Sequence, residues 1–224
     1  MYLPPQESKL AVLVKNGKLK QSKYLVEHTS DLLRVAILSM FGGTYFDNDV
    51  ILFKRLPSVK KVPNFVGRVD KSLIGKLIPP NKTTLTRFKC FKKIPANGVL
   101  RFQRGHKVLD DLQKFLGSNY NPYDWASNGP HAVTYAVKRQ NNKTSDKVLV
   151  YPEEKFFPIP YQAYGKIFNV NDKKEVLDKT KGSYGIHMWN AMNKFAKNIS
   201  CDFKKDSAFK VLALKNCPLT AINS

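Results

Sequence analysis

Ser30-Asp31-Leu32-Leu33-Arg34-Val35-Ala36-Ile37-Leu38-Ser39-Met40-Phe41-Gly42-Gly43-Thr44-Tyr45-Phe46-Asp47-Asn48-Asp49 decides the fold of this chain. Ser30 is a good N-cap and Asp31 suits the positive end of a helix, so the apolar run Leu32 to Phe41 predicts a helix. Gly42-Gly43 closes it, because glycine accepts the left-handed geometry of a helix C-terminus. The β-branched and aromatic residues from Thr44 to Phe53 then predict a strand with a polar interruption. A helix that turns sharply into a strand is the unit from which α/β folds are built.

The rest of the chain repeats that alternation. Leu10 to Val14 is an apolar run compatible with either a strand or a helix, and Asn16 to Lys23 reads as a basic connector. Residues 54–96 are basic and interrupted by proline, which predicts loops with short strands such as Asn64 to Val69. Gly98 to Phe102 predicts a strand, and His106 to Leu116 a helix. Asn119 to Pro130 reads as a turn-rich loop, residues 131–138 as a helix, and Lys147 to Tyr151 as extended. Phe156 to Tyr164 predicts a shaped loop, Tyr184 to Trp189 a last core strand, and Asp206 to Leu214 a final helix. At 224 residues the expectation is a single α/β domain spanning 1–224.

Asp47-Asn48-Asp49 carries the chemistry. Alternate residues of an extended chain point to one face, roughly 6–7 Å apart, so Asp47 and Asp49 could address one hard cation. Mg²⁺ and Mn²⁺ favour oxygen ligands and often combine one or two carboxylates with substrate phosphates. Upstream, Asp31 and Arg34 share a helix face at i, i+3 spacing. The carboxylate could accept sugar hydroxyls while the guanidinium offers a rigid donor fork, or the two could simply pair with each other. His187 and Trp189 combine an imidazole fit for a metal with an indole fit for stacking, although such a pair also packs for purely structural reasons. Gly182 and Gly185 ahead of them predict a mobile approach. Asn97, Asp124, Trp125 and Asn128 are acceptor-side candidates, with turn chemistry or packing as the ordinary role of each.

Charge and cysteine content narrow the classes. The 38 Lys+Arg against 17 Asp+Glu give a formal net charge of +21, a field that attracts polyanions. The lysines are dispersed in short pairs, without zinc-finger spacing, a basic zipper or an RNA-recognition aromatic motif, so nucleic acid is not an expected partner. Cys90, Cys201 and Cys217 are too few for a disulfide scaffold, though one bridge between Cys201 and Cys217 is open. Sequons at Asn81, Asn142 and Asn198 hint at a secretory lumen. No run approaches the ~20 apolar residues of a membrane span, and the N-terminus does not read as a signal peptide.

The segment from Ser30 to Asp49 closely resembles the donor-binding region of glycosyltransferases with the sugar-binding Asp-x-Asp motif, nearest the α1,4-galactosyltransferase group. The resemblance continues in order through Asn97-Gly98-Val99-Leu100, Asp124 to Pro130, Phe157 to Tyr161, His187-Met188-Trp189-Asn190 and Asn216-Cys217-Pro218. It implies a GT-A-like nucleotide-sugar transferase fold, a UDP-sugar donor carrying galactose or N-acetylhexosamine, Mn²⁺ or Mg²⁺, and transfer with retention to a glycolipid or glycan acceptor. It also implies that Asp49 binds metal directly, that Asp47 contacts ribose or metal, and that Ser30, Asp31, Arg34 and Tyr45 line the donor-sugar pocket. A Golgi-lumen location next to a membrane surface follows from the same likeness. Relatives of this kind carry an anchor and further nucleotide-binding strands ahead of the segment, whereas 29 residues precede Ser30 here, so a truncated N-terminus is expected. An inactive transferase-fold domain binding carbohydrate or membrane is the alternative. A dehalogenase-type phosphatase would explain the two aspartates but gives no role to Ser30-Asp31-x-x-Arg34 or Gly42-Gly43.

Overall fold

The computed structural model describes residues 9–70, 93–142, 147–189 and 206–217. Within it the chain forms two compact units, one of residues 1–45 and 58–151 and the other of 46–57 and 152–224. Residues 71–92, Cys201, the sequons at Asn81 and Asn198, Asn190 and Pro218 lie outside the described residues.

The first unit holds helices α1 (Lys9–Lys15) and α2 (Leu25–Phe41), strands β1 (Gly43–Phe46), β3 (Phe65–Asp70) and β4 (Lys93–Phe102), helices α3 (Lys107–Asn119) and α4 (Ala132–Asn141), and strand β5 (Leu149–Tyr151). Its sheet runs β1-β4-β3-β5. β3 is antiparallel to β4 and parallel to β5, with Val66 opposite Leu100 and Val150. The class is therefore α/β with a mixed sheet, consistent with the GT-A-like expectation. Leu10 and Leu13 of α1, Leu32, Val35 and Leu38 of α2, Leu109, Leu112 and Leu116 of α3, and Val133 and Val137 of α4 bury against Leu100 and Phe102. Each fully buried side chain of this size stabilises the unit by about 1.5–3 kcal/mol. The run Leu10 to Val14 is thus a helix, with Val12 facing out.

Two sequence expectations change here. The second helix begins at Leu25, capped at Tyr24 without a side-chain bond, and Ser30 lies in its interior. Its buried stripe, His28, Asp31, Leu32, Val35 and Leu38, carries helical spacing upstream of the serine. The Ser30 hydroxyl is used instead by Arg34 and Tyr45. The strand expected over Thr44 to Phe53 is two strands, β1 and β2 (Val50–Leu52), with Asp47-Asn48-Asp49 forming the turn between them. The helix end is as read: Gly42 has φ +66°, and a Cβ there would run into the backbone of Arg104.

The β3–β4 ladder contains the irregularity that matters for the site. Val66 faces Leu100, yet Arg68 faces Pro95, so a short advance along β3 is matched by a longer stretch of β4. Residues 96–99 leave the ladder as a bulge, which Pro95 favours by lacking an amide hydrogen and Gly98 by lacking a Cβ. Asn97 sits on that bulge.

The second unit pairs β2 antiparallel with β6 (Gly185–His187), and adds helices α5 (Lys173–Thr180) and α6 (Ala208–Asn216). Ile159, Ile167, Val176, Ile186, Met188, Ala208 and Leu212 make its core. A single 3₁₀ turn occupies Glu153–Lys155, and a 3₁₀ helix, Tyr161–Ile167, begins within the stretch Phe156 to Tyr164 where a shaped loop was expected. No apolar period in the sequence predicts α5, a lysine-rich helix with one fully buried side chain, Val176, and an exposed Lys166–Glu175–Lys179 ion-pair chain. Gly185 is not part of a mobile approach. It lies in the β2–β6 ladder, where a Cβ would come within 2.6 Å of the Ile51 carbonyl oxygen.

Candidate functional site

In the second unit, the turn after β1 and the end of β6 bring Asp47, Asp49 and His187 together. Ladder pairing puts Val50 opposite His187, the Met188 amide donates to the Asp49 carbonyl at 2.9 Å, and the His187 amide donates to the Phe156 carbonyl at 3.0 Å. The imidazole Nε2 then lies 3.4 Å from Asp47 Oδ2 and 3.3 Å from Asp49 Oδ1. One ligand atom from each of the three residues falls within 4.8 Å of the others. Asp49 and His187 are buried to 9 % and 8 % exposure, so their charges and dipoles act at reduced screening.

This donor set fits a small divalent cation. Such an ion holds oxygen ligands at about 2.0–2.1 Å, so its ligand atoms lie at most ~4.2 Å apart, and small shifts of the aspartates suffice. The two carboxylates are the hard oxygen ligands that Mn²⁺ or Mg²⁺ favours, whereas the imidazole is a ligand more usual for softer first-row ions. The imidazole carries a condition. The Trp189 amide donates to His187 Nδ1 at 3.1 Å, which leaves the ring proton on Nε2, the atom facing the carboxylates. In this state His187 is a donor to the aspartates. Ligation through Nε2 requires the proton to move to Nδ1 and the Trp189 amide to be released.

The first unit assembles a second polar cluster. Arg34 Nη1 donates to the Asn97 carbonyl at 2.7 Å, Nη2 to Ser30 Oγ at 2.9 Å, and Nε to the Ser30 carbonyl at 3.2 Å. Its guanidinium also lies over the Tyr45 ring at 4.5 Å and pairs with Asp31 at 3.2 Å, both side chains being 7 % exposed. Asp31 and Arg34 therefore pair with each other, and each also engages further groups. Asn97 Nδ2 donates to Asp31 Oδ1 at 2.6 Å, so the β4 bulge delivers Asn97, a candidate for the acceptor side, to the donor-sugar candidates. Gly129 closes the cluster: a Cβ there would collide with Asn97 Nδ2 and approach Asp31 Oδ2 to 2.9 Å. Nothing in the sequence alone points to this role of Gly129, since a glycine's reason lies in its neighbours.

Asp124 and Asn128 are structural in this state. Asp124 Oδ1 accepts the Ala126 amide at 3.0 Å, and Asn128 bonds the backbone of Asn121 through both side-chain atoms. Asn128 Nδ2 also meets the fully buried His28, which contacts Ser22 Oγ at 2.7 Å and Tyr120 OH at 3.1 Å. This network pins residues 127–131, a π-helical turn ahead of α4, and so fixes Gly129. Trp125 is half-buried.

Comparison with known proteins places these residues in a family. Residues 101–223 match the alpha 1,4-glycosyltransferase conserved region, and residues 7–66, which hold Asp31, Arg34, Asp47 and Asp49, match the glycosyltransferase sugar-binding region containing the DXD motif. The chain belongs to the alpha 1,4-glycosyltransferase family. It is 24 % identical over 222 residues to lactosylceramide 4-alpha-galactosyltransferase of Rattus norvegicus, covering 96 % of this chain and 54 % of that protein. It is 23 % identical over 201 residues to human alpha-1,4-N-acetylglucosaminyltransferase, covering 86 % of this chain and 50 % of that one. The chain thus spans about half the length of these relatives. Among solved structures, PaToxG glycosyltransferase aligns at a TM-score of 0.40 and 16 % identity over 60 % of this chain and 41 % of that one.

Proposed function

We propose that this protein is a metal-dependent glycosyltransferase that moves galactose or N-acetylhexosamine from a UDP-sugar to a glycolipid or glycan acceptor, with retention at the anomeric carbon. The convergence of Asp47, Asp49 and His187 within 4.8 Å carries the reading. Asp49 and Asp47 would hold Mn²⁺ or Mg²⁺, which supplies charge neutralisation to the departing diphosphate. Asp31 accepts hydroxyl hydrogens of the donor sugar, and Arg34 donates to it while Tyr45 and Ser30 hold the guanidinium in place. Asn97 and Gly129 fix Asp31 from the other side. The substrate classes are taken from the relatives, a lactosylceramide 4-alpha-galactosyltransferase and an alpha-1,4-N-acetylglucosaminyltransferase: a galactose or N-acetylglucosamine donor and a lactosylceramide-like acceptor. A Golgi-lumen site of action beside a membrane surface is part of the same proposal. Among the described residues, no helix is long and apolar enough to cross a membrane.

The deciding experiment is a donor screen of folded protein with UDP-galactose, UDP-N-acetylgalactosamine and UDP-N-acetylglucosamine, with and without Mn²⁺. Metal-dependent turnover of one donor is the expected result. Absence of turnover with every donor would leave a transferase-fold binding domain. The anomeric configuration of the product, read by NMR, tests retention.

A further inference from the structure

A row of aromatic rings leads away from His187, and neither the metal nor the donor cluster uses it. The His187 and Trp189 rings lie 4.5 Å apart between centroids, Trp189 and Tyr161 6.0 Å at 67°, and Tyr161 and Tyr164 5.9 Å at 19°. His187 is buried, whereas Trp189, Tyr161 and Tyr164 are only half-buried. Among the described residues, none of those three belongs to the cluster of buried aliphatic side chains around Ile159 and Val176. Each of the three residues therefore keeps part of its surface exposed.

The backbone is arranged to present them. Tyr161–Ile167 is a 3₁₀ helix, and its three-residue repeat eclipses side chains at i and i+3, which is why Tyr161 and Tyr164 stack. Pro158 and Pro160 fix the approach. Trp189 adopts φ +58°, the positive value found at no other non-glycine among the described residues. That conformation costs of order 1–3 kcal/mol and persists where surrounding contacts over-determine it. Here those contacts are its amide bond to His187 Nδ1, its indole bond to the Ile159 carbonyl at 3.0 Å, and the buried Phe157 ring 5.7 Å away. The indole N–H is thereby spent, so Trp189 has ring surface to offer a ligand and no polar handle.

We infer that Trp189, Tyr161 and Tyr164 form a stacking platform for a neutral pyranose, the terminal sugar of the acceptor. This rests on the transferase reading above. A β-galactoside exposes one face of ring C–H groups and keeps its hydroxyls at the rim, so a run of ring faces covers it without a charge or a fixed hydrogen bond. Tyr161 and Tyr164 would set how far the acceptor extends from the reacting end.

The test is titration of the full chain with methyl β-lactoside by saturation-transfer NMR, beside a titration with UDP and Mn²⁺. Saturation transfer to the lactoside is expected. Tyr161→Leu and Tyr164→Leu, checked as folded by circular dichroism, should each weaken lactoside binding about three- to tenfold, and Tyr161→Phe and Tyr164→Phe should retain it within about twofold. If either leucine variant does not fold, the other decides. Ring-dependent lactoside binding supports the platform even where UDP and Mn²⁺ fail to bind, which would count against the transferase reading alone. Intact UDP and Mn²⁺ binding with no lactoside binding, or with lactoside binding indifferent to both leucine variants, overturns the platform and leaves the transferase reading standing. Loss of UDP in place of lactoside on the same substitutions also overturns it, assigning the rings to the nucleotide base.

Discussion

Val50 and His187 face each other across the β2–β6 ladder, and that pairing places an imidazole against the Asp47–Asp49 turn. The ladder register, the Met188–Asp49 backbone bond and the turn together make the site a property of two distant segments.

The two aspartates and the histidine are not equivalent. Asp49→Ala removes a nearly buried carboxylate and should abolish Mn²⁺-dependent UDP binding, a loss beyond the ~10–100-fold typical of groups outside the metal's own ligands. His187→Ala should cost about tenfold, because its Nε2 proton must move before it can ligate. Asn48→Ala, in the same turn but exposed, should bind within about twofold of the native protein. Calorimetry with and without Mn²⁺ separates the three; equal losses for Asp49→Ala and His187→Ala would contradict the order.

Gly129→Ala puts a methyl group where the Asn97 amide and an Asp31 oxygen already sit. Overpacking of this kind costs typically about 1–3 kcal/mol. The thermal midpoint should fall, and in protein that remains folded the donor KM should rise more than kcat falls, since the displaced groups are the Asn97 amide and the Asp31 carboxylate it holds. A variant with native stability and native donor KM would show that the Asp31–Asn97 contact is dispensable.

What was legible in the sequence was local. The α2–Gly42-Gly43–β1 junction could be read because glycine at a positive φ is a property of one residue, and the Asp31–Arg34 pair because it follows from helical spacing. Ser30 was misplaced as a cap because its hydroxyl has partners, Arg34 and Tyr45, that only the tertiary fold supplies. The contact of Asn97 with Asp31 could not be read because the bulge that carries it arises from a mismatch between two strands, and one strand's sequence does not reveal its partner's register. The aspartate turn was read as extended chain for a related reason: alternation of residue types does not distinguish one strand from two short ones. α5 was passed over because it packs little beyond Val176, and ion pairs between exposed lysines and Glu175 leave no apolar period to find.

Arg34 and Asp31 form a pair in which neither side chain reaches water freely. Removing one member of a buried pair costs about 3–5 kcal/mol, because the remaining charge keeps its desolvation penalty. Asp31→Ala should therefore be strongly destabilising in urea unfolding, and Asp31→Asn less so, since the amide oxygen still accepts from Arg34. Near-equal midpoints for the two variants would mean that the charge of Asp31, which both lack, accounts for the loss and that its hydrogen-bonding oxygen adds little.

The net charge of +21 predicts a salt effect that depends on the acceptor's surroundings. On vesicles containing anionic lipid, transfer to a glycolipid should fall as ionic strength rises, because each basic residue near the surface contributes about 1 kcal/mol that screening removes. Transfer to a soluble lactoside should fall much less. Equal salt sensitivity on both acceptors would locate the effect at the donor diphosphate instead.

His28 supplies the pH dependence. It is fully buried among Ser22, Tyr120 and Asn128, and burial lowers its pKa below the ordinary 6.5, against the opposing effect of the Asp124 and Trp125 backbone and of the Glu27 and Asp124 charges. The folded protein thus resists protonating this ring while the unfolded chain does not. The unfolded state takes up the extra proton as pH falls through about 6.5, so the stability from neutral His28 is complete above that value and is lost progressively below it. The consequence reaches the donor cluster, since His28 holds Asn128 and Asn128 precedes Gly129 in the π-helical turn. Thermal midpoints measured between pH 7.5 and 5.5 should fall, and donor affinity should fall with them. In His28→Gln the midpoint should start lower but change less over the same range, because glutamine bonds Asn128 without titrating. A slope unchanged by the substitution would assign the acid sensitivity to other groups.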